Sequence, residues 1–259
     1  MAYKSIFNLL PKEMTEYTSW SANKVPPFSA IETTVSGKVW SGIPGGHKWL
    51  GYFPFYDREF GKYHGKNPKV LEIGVYRGAS LYLWRTFFGE GATIVGIDID
   101  EKCRAFANPD LNISVEIGDQ SDPGFLNAVI EKHGPFDIIL DDGSHVASHQ
   151  IASFNGLFMR GLKDTGLYYV EDLECMYWSH TNEFRDTSVS SVEFFKTLID
   201  VQNNIFEDYR YDDFFLNNPQ SRSQFNVIEL AKHIGSIKFA RGVVLIDKAP
   251  QDAPSAMHL

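Results

Sequence analysis

Carboxylates recur where short apolar runs stop. Glu72 ends one run and is followed by Gly74 and Gly78; Asp98 and Asp119 end or follow the next two; Asp141-Asp142 leads to Ser144-His145; Glu171-Asp172 closes the last. Acids gathered at one edge of a sheet repel one another unless a cation or hydroxyl donors satisfy them. Asp142, Glu171 and Asp172 are hard oxygen donors of the kind that magnesium or manganese takes in roughly octahedral arrays. His145, three residues past Asp142, is placed to remove a proton from a hydroxyl held there. Each residue alone has a plain alternative: an Asx-turn for Asp142, a solvated loop start for Glu171-Asp172, a helix cap or satisfied imidazole for His145. Their recurrence at adjacent strand ends favours a site. His145 and His149 also stand four apart, as a zinc pair on a helix does, but no HExxH pattern surrounds them. His149 is expected simply on the following helix.

The segment Glu72-Ile73-Gly74-Val75-Tyr76-Arg77-Gly78 is a strand-to-helix turn in which glycine lets the backbone approach a ligand. It lacks the full GxGxxG fingerprint, because Tyr76 occupies a glycine-like position. Asp98 follows Glu72 by 26 residues, a spacing that suits an acid accepting ribose hydroxyls; its plain alternative is a helix N-cap. A ribose belongs equally to a nicotinamide dinucleotide and to S-adenosylmethionine. Glu72 in the first turn repels a pyrophosphate but tolerates a sulfonium with its amino acid tail, and Gly118-Asp119-Gln120 offers polar groups to an adenine edge. The expected cofactor is therefore S-adenosylmethionine, bound by Glu72, Gly74, Gly78, Ser80, Asp98, Asp119, Gln120 and Asp141.

The elements that position these residues are readable between about 67 and 172. Short strand patterns at Lys69–Ile73, Thr93–Asp98, Ile113–Ile117, Phe136–Leu140 and Gly166–Val170 alternate with helix-like stretches, ASLYLWRTFF, EKCRAFA, DPGFLNAVIEKH and an apolar stretch from Ile151 to Leu162. Such alternation predicts parallel βαβ units, right-handed crossovers and a doubly wound α/β sheet. SIKFA and VVLIDK flank Arg241-Gly242 and predict an antiparallel hairpin finishing the sheet. Residues 1–66 show no sustained period and are expected to form a lead-in segment that caps the molecule or contacts another copy. Residues 67–259 are expected to form the catalytic domain, with aromatic substrate-binding insertions at about 173–232; Phe and Tyr residues in 176–184 and 205–215 are expected either to wall an acceptor pocket or to be ordinary core and interface aromatics.

Composition sets the outer limits. The 259 residues carry 33 acids against 24 bases, a net charge of −9, which argues against a nucleic-acid binder, since that needs a clustered basic face. No run approaches a membrane span, no signal peptide is visible at the N-terminus, and two isolated cysteines, Cys103 and Cys175, form neither a disulfide framework nor a zinc cluster. A cytoplasmic protein is expected, a homo-oligomer without membrane or nucleic-acid partners.

LEIGVYRGASLYLWR, VGIDID, GDQSDPGFL, GPFDIILDDGSH and GLYYVEDL, with the upstream GGHKWLGYFPFYDREF, together resemble the metal-dependent sugar O-methyltransferases of macrolide biosynthesis, the mycinamicin and macrocin type. The likeness runs from about Gly45 to Asp172. It implies a class I methyltransferase fold, S-adenosylmethionine as methyl donor and a magnesium ion chelating adjacent hydroxyls of a deoxysugar on a glycosylated natural product. Carried over by motif, the metal ligands are Asp142, Glu171 and Asp172, the general base is His145, and Glu72, Gly74, Asp98 and Asp119 fall on cofactor positions. Two enzyme alternatives stand beside this one: an iron-dependent hydroxylase resembling the cephalosporin hydroxylases, since carboxylates with a histidine also hold iron, and an NAD-dependent sugar oxidoreductase. A third is a non-enzymatic binding or scaffold protein that kept the fold.

Overall fold

A computed structural model of the chain describes residues 30–203 and 227–251. The aromatic stretch 205–215 expected to wall the acceptor pocket lies outside the described residues. The chain divides into two compact units, Met1–Asp119 and Gln120–Leu259.

In the first unit, helices α1 (Ala30–Thr33), α2 (Val35–Trp40) and α3 (Tyr52–Phe60) precede strand β1 (Lys69–Ile73), helix α4 (Ala79–Phe88), β2 (Thr93–Asp98) and β3 (Ile113–Ile117). The three strands match the sequence pattern residue for residue. They lie in the order β3-β2-β1, all parallel, with Leu71 opposite Val95 and Gly96 opposite Val115. Four of the five residues of β1 and four of the six of β2 are buried, the continuous apolar run of strands covered on both faces. The expected helix after β2 is instead a six-residue 3-10 stretch, Glu101–Phe106. Asp100 caps it by accepting from the Lys102 amide, and Asn108-Pro109 follows too soon for a longer helix. The lead-in is also more regular than its sequence suggested. Tyr52, Phe53, Phe55, Tyr56 and Phe60 of α3 are all buried while Pro54 and Arg58 are exposed, the one-sided apolar face of a helix packed on a core. Tyr56 meets the Trp84 ring edge-on at 4.9 Å and stacks on Phe60 at 5.8 Å, so α3 and α4 share an aromatic core. Full burial of each such ring stabilises by about 1.5–3 kcal/mol.

In the second unit, α5 (Pro123–His133), β4 (Phe136–Asp141), α6 (Ala147–Leu157), β5 (Leu162–Val170), α7 (Ser191–Asn203), α8 (Val227–Ala231), β6 (Ile234–Ala240) and β7 (Val243–Lys248) follow in turn. The strand order is β4-β5-β7-β6; β4 and β5 are parallel, while β7 runs antiparallel to both β5 and β6. The expected hairpin is present, and Gly242 takes the turn at φ 76°. The N-terminus of α5 reads directly from sequence: Asp122 accepts the Gly124 amide at 2.8 Å, with Pro123 in the first turn. Two boundaries differ from expectation. Helix α6 starts at Ala147 and ends at Leu157 rather than running from Ile151 to Leu162, and β5 begins at Leu162, four residues before the predicted strand. The buried Lys248 amine donates to the carbonyls of Met159 and Leu162, both at 2.8 Å, so the end of β7 holds the α6–β5 connection. No helix among the described residues is long and apolar enough to cross a membrane.

Candidate metal and cofactor sites

The turn after β4 and the residues just past β5 bring chemistry together. Ligand atoms of Asp142, His145 and Asp172 all lie within 4.8 Å of one another. His145 Nε2 is 3.4 Å from Asp172 Oδ2, and its Nδ1 is buried with no hydrogen-bond partner among the described residues. His145 and Asp172 both adopt left-handed backbone, at φ 59° and 56°, a conformation that non-glycine residues hold only where the surroundings enforce it. The two carboxylates are hard oxygen donors that fit a divalent cation such as magnesium or manganese, with the imidazole beside them. Glu171, the third expected ligand, does not join this group. It is fully buried; its amide donates to the Asp141 carbonyl at 2.9 Å and its carbonyl accepts from Gln150 at 3.2 Å.

Asp141 is fully buried, and burial pushes its carboxyl up to about 6 despite hydrogen bonds from Gly143, Gln120 and Ser153 that pull the other way. Gln120 is buried too. Its Nε2 donates to Asp141 and to Ser153 Oγ, the latter at 2.9 Å, and its Oε1 accepts the Ser144 amide at 2.8 Å. His149 is on α6 as expected, but its Nδ1 is hydrogen-bonded to Ser144 Oγ at 3.0 Å. Nothing in the sequence singles out Ser153; a serine nine positions past the DDGS turn carries no local signal.

Of the residues expected at a cofactor, the first unit holds Glu72, Gly74, Gly78, Ser80, Asp98 and Asp119. Asp98 Oδ2 accepts the amides of Val75 and Tyr76 at 2.8 and 2.9 Å, and Oδ1 accepts that of Asp100 at 2.9 Å. The acid thus shapes the glycine turn; the helix-capping role falls to Asp100. Within the turn, Gly74, Tyr76 and Gly78 sit at φ 93°, 49° and 75°. Tyr76 is 64% exposed. Glu72 is fully buried and points along α4, accepting from Ser80 Oγ at 2.8 Å and Trp84 Nε1 at 2.9 Å. Glu72 and Ser80 are therefore engaged with each other. Asp119 is partly exposed in the turn after β3.

Rings gather in the loop beyond β5. Trp178 stacks on His180 at 5.4 Å and meets Phe184 edge-on at 5.4 Å, while the Phe184 ring is 6.3 Å from that of His145. The loop is pinned to the start of α6: Ala147 donates to the Phe184 carbonyl at 2.9 Å, and the amide and hydroxyl of Ser148 donate to Asp186. Asp186 lies 38 residues from its partner, a contact that no local pattern announces.

No family model matches the chain. Demethylmacrocin O-methyltransferase of Streptomyces fradiae is 39% identical over 166 residues, 59% of this chain and 41% of the relative. An 8-demethyl-8-alpha-L-rhamnosyl tetracenomycin-C 2'-O-methyltransferase of Streptomyces olivaceus is 33% identical over 194 residues, 68% of this chain and 50% of the relative. The chain thus spans about half the length of these curated relatives or less. The solved structure of MycE methyltransferase from the mycinamycin biosynthetic pathway, in complex with Mg, SAH and mycinamycin VI, superposes with a TM-score of 0.67 at 28% identity, covering 87% of this chain and 54% of that one. The fold is that of a class I methyltransferase, and the chain is similar to the sugar O-methyltransferases of macrolide and tetracenomycin biosynthesis.

Proposed function

We propose that the protein transfers a methyl group from S-adenosylmethionine to a sugar hydroxyl of a glycosylated natural product, with a divalent cation in the site. The observation that carries this reading is the convergence of Asp142, His145 and Asp172 within 4.8 Å, in a chain 39% identical to a demethylmacrocin O-methyltransferase. Asp142 and Asp172 hold the cation, and Glu171, buried beside them, belongs to the ligand set the resemblance implies. When bound, magnesium or manganese supplies Lewis acidity that makes a sugar hydroxyl easier to deprotonate. His145 takes the hydroxyl proton on its ring, and Asp172, 3.4 Å from Nε2, stabilises the imidazolium that results. Asp98, Gly74 and Gly78 form the turn that receives the cofactor, with Glu72, Ser80 and Asp119 of the same unit as supporting residues. The acceptor is a small molecule bearing a deoxysugar, whose ring lies against Trp178, His180 and Phe184.

Calorimetric titration tests the cofactor directly. S-adenosylmethionine or its demethylated product is expected to bind in the micromolar range and NAD not at all, with or without magnesium. Binding of NAD alone would transfer the chain to the oxidoreductases, and iron-dependent oxygen consumption would transfer it to the hydroxylases.

A further inference from the structure

Gln120 closes a ring of hydrogen bonds behind the cation site. Its Oε1 accepts the Ser144 amide at 2.8 Å; Ser144 Oγ is joined to His149 Nδ1 at 3.0 Å. The His149 carbonyl accepts from Ser153 Oγ at 2.9 Å, and Ser153 Oγ accepts from Gln120 Nε2 at 2.9 Å. The ring therefore passes through the turn after β4, the first turn and a half of α6, and a residue that arrives from before α5. A branch leaves it at Gln120 Nε2, which also donates to Asp141 at 3.2 Å. The Asp141 carboxylate accepts the Gly143 amide at 3.3 Å as well. Asp141 is thereby turned into the interior, and of the Asp141-Asp142 pair only Asp142 reaches the cluster.

The place of the ring along the chain gives it its consequence. Ser144 lies between Asp142 and His145, and His145 is held at φ 59°. A non-glycine residue in that region costs of order 1 kcal/mol, which the surroundings must offset. Gln120 is buried and its amide meets three partners, so it has little capacity left for an adenine edge. Such partners fix the orientation of metal-binding groups without touching the metal.

Building on the cation site proposed above, we propose that Gln120 is a positioning residue that sets the affinity of the Asp142–His145–Asp172 cluster for a divalent cation by locking the Asp142–His145 turn. The probe is manganese alone, followed by loss of the aqueous Mn2+ paramagnetic signal on titration with protein, so the readout needs neither acceptor nor turnover. Gln120→Met keeps the volume and removes the ring. It is expected to weaken Mn2+ binding about 10- to 100-fold, the usual effect of losing a partner behind the ligands. Ser153→Ala opens the ring at one bond and is expected to weaken binding in the same direction, about threefold or more, and it is read alone if Gln120→Met does not fold. Lys248→Met also removes buried hydrogen bonds in the same unit, lowers the unfolding midpoint, and is expected to leave Mn2+ affinity within about twofold of wild type. A folded Gln120→Met protein with wild-type affinity overturns the proposal; so does an equal loss in Lys248→Met, which would make the effect one of general stability. Wild-type protein that takes up no Mn2+ overturns the cation site itself, and this inference with it.

Discussion

His145 and Asp172 are the two non-glycine residues that combine left-handed backbone, at φ 59° and 56°, with membership of the cluster. His145→Ala is expected to reduce turnover roughly 10²–10⁴-fold, the usual range for a general base, while Mn2+ binding persists through Asp142 and Asp172. His149→Ala is the comparison. It removes the Ser144 contact and is expected to cost far less. A dead His149 variant beside a normal His145 variant would show the base to be misassigned, and initial rates of both settle it. The two thiols give a check that is independent of activity. Burial pushes both Cys103 and Cys175 up to about 12, with nearby carboxylates (Asp98 at Cys103, Asp172 at Cys175) adding to it. Only the thiolate reacts, and at pH 8 about 10⁻⁴ of such a thiol is ionised. Labelling with a disulfide reagent at pH 8 is expected to be orders of magnitude slower in native protein than in guanidinium. Rapid native labelling of either cysteine would contradict its placement. At this scale Asp142, His145 and Asp172 were legible because the DDGSH and EDL motifs put chemistry-bearing residues at strand ends. Glu171 is absent from the group that Asp142, His145 and Asp172 form, and its place next to Asp172 in the sequence carries no information on which way its side chain faces. Ser153 carries no sequence signal because its partners are Gln120, 33 residues upstream, Asp141 and a backbone carbonyl.

The glycine turn after β1 is held by both backbone conformation and packing. Gly78 sits at φ 75°, and a Cβ there would come within 2.6 Å of the Phe106 ring. Gly78→Ala therefore meets both a left-handed penalty and an aromatic ring in a packed wall. It is expected to destabilise the protein by about 2 kcal/mol or more, read as a lower urea midpoint. Asp98→Ala removes the acceptor of the Val75, Tyr76 and Asp100 amides and is expected to weaken S-adenosylmethionine binding by about 1–3 kcal/mol. Calorimetry on the folded variant checks this, and unchanged binding would remove Asp98 from the cofactor site. Strand positions were the most legible part of the fold. β1, β2 and β3 keep continuous apolar runs bounded by turn residues, so pattern and structure coincide. Helices were less so. The stretch after β2 has helical composition but only six residues before Ala107 and Asn108-Pro109, and a run that short settles into 3-10 geometry. The start of α6 was placed late because Ala147-Ser148-His149-Gln150 carries no apolar period; the contact from distant Asp186, not local propensity, satisfies its first turn.

For the molecule as a whole, the proposed cation would link activity to stability. Asp142 and Asp172 are like charges held close in a protein that already carries a net charge of −9, so a cation that satisfies them stabilises the folded state and has no comparable site in the unfolded chain. At about 100 times its dissociation constant, such a ligand adds about 2.7 kcal/mol, and for a chain of this size each kcal/mol moves the midpoint by about 2–4 °C. Magnesium or manganese is thus expected to raise the unfolding midpoint by about 5–10 °C, and excess chelator to reverse the shift. Chelator is also expected to abolish methyl transfer, with restoration by either metal. Asp142→Asn and Asp172→Asn are expected to lose both the thermal shift and the metal-dependent activity. Binding of S-adenosylmethionine is expected to survive chelation, because Asp98, Gly74 and Gly78 are not members of the cluster. The two readouts separate the possible failures. Full turnover in excess chelator, with no thermal response to either metal, would leave the carboxylates structural and remove the cation from the reaction. Loss of cofactor binding on chelation would instead show that the two sites are energetically coupled, and that the turn around Asp98 does not bind the cofactor on its own.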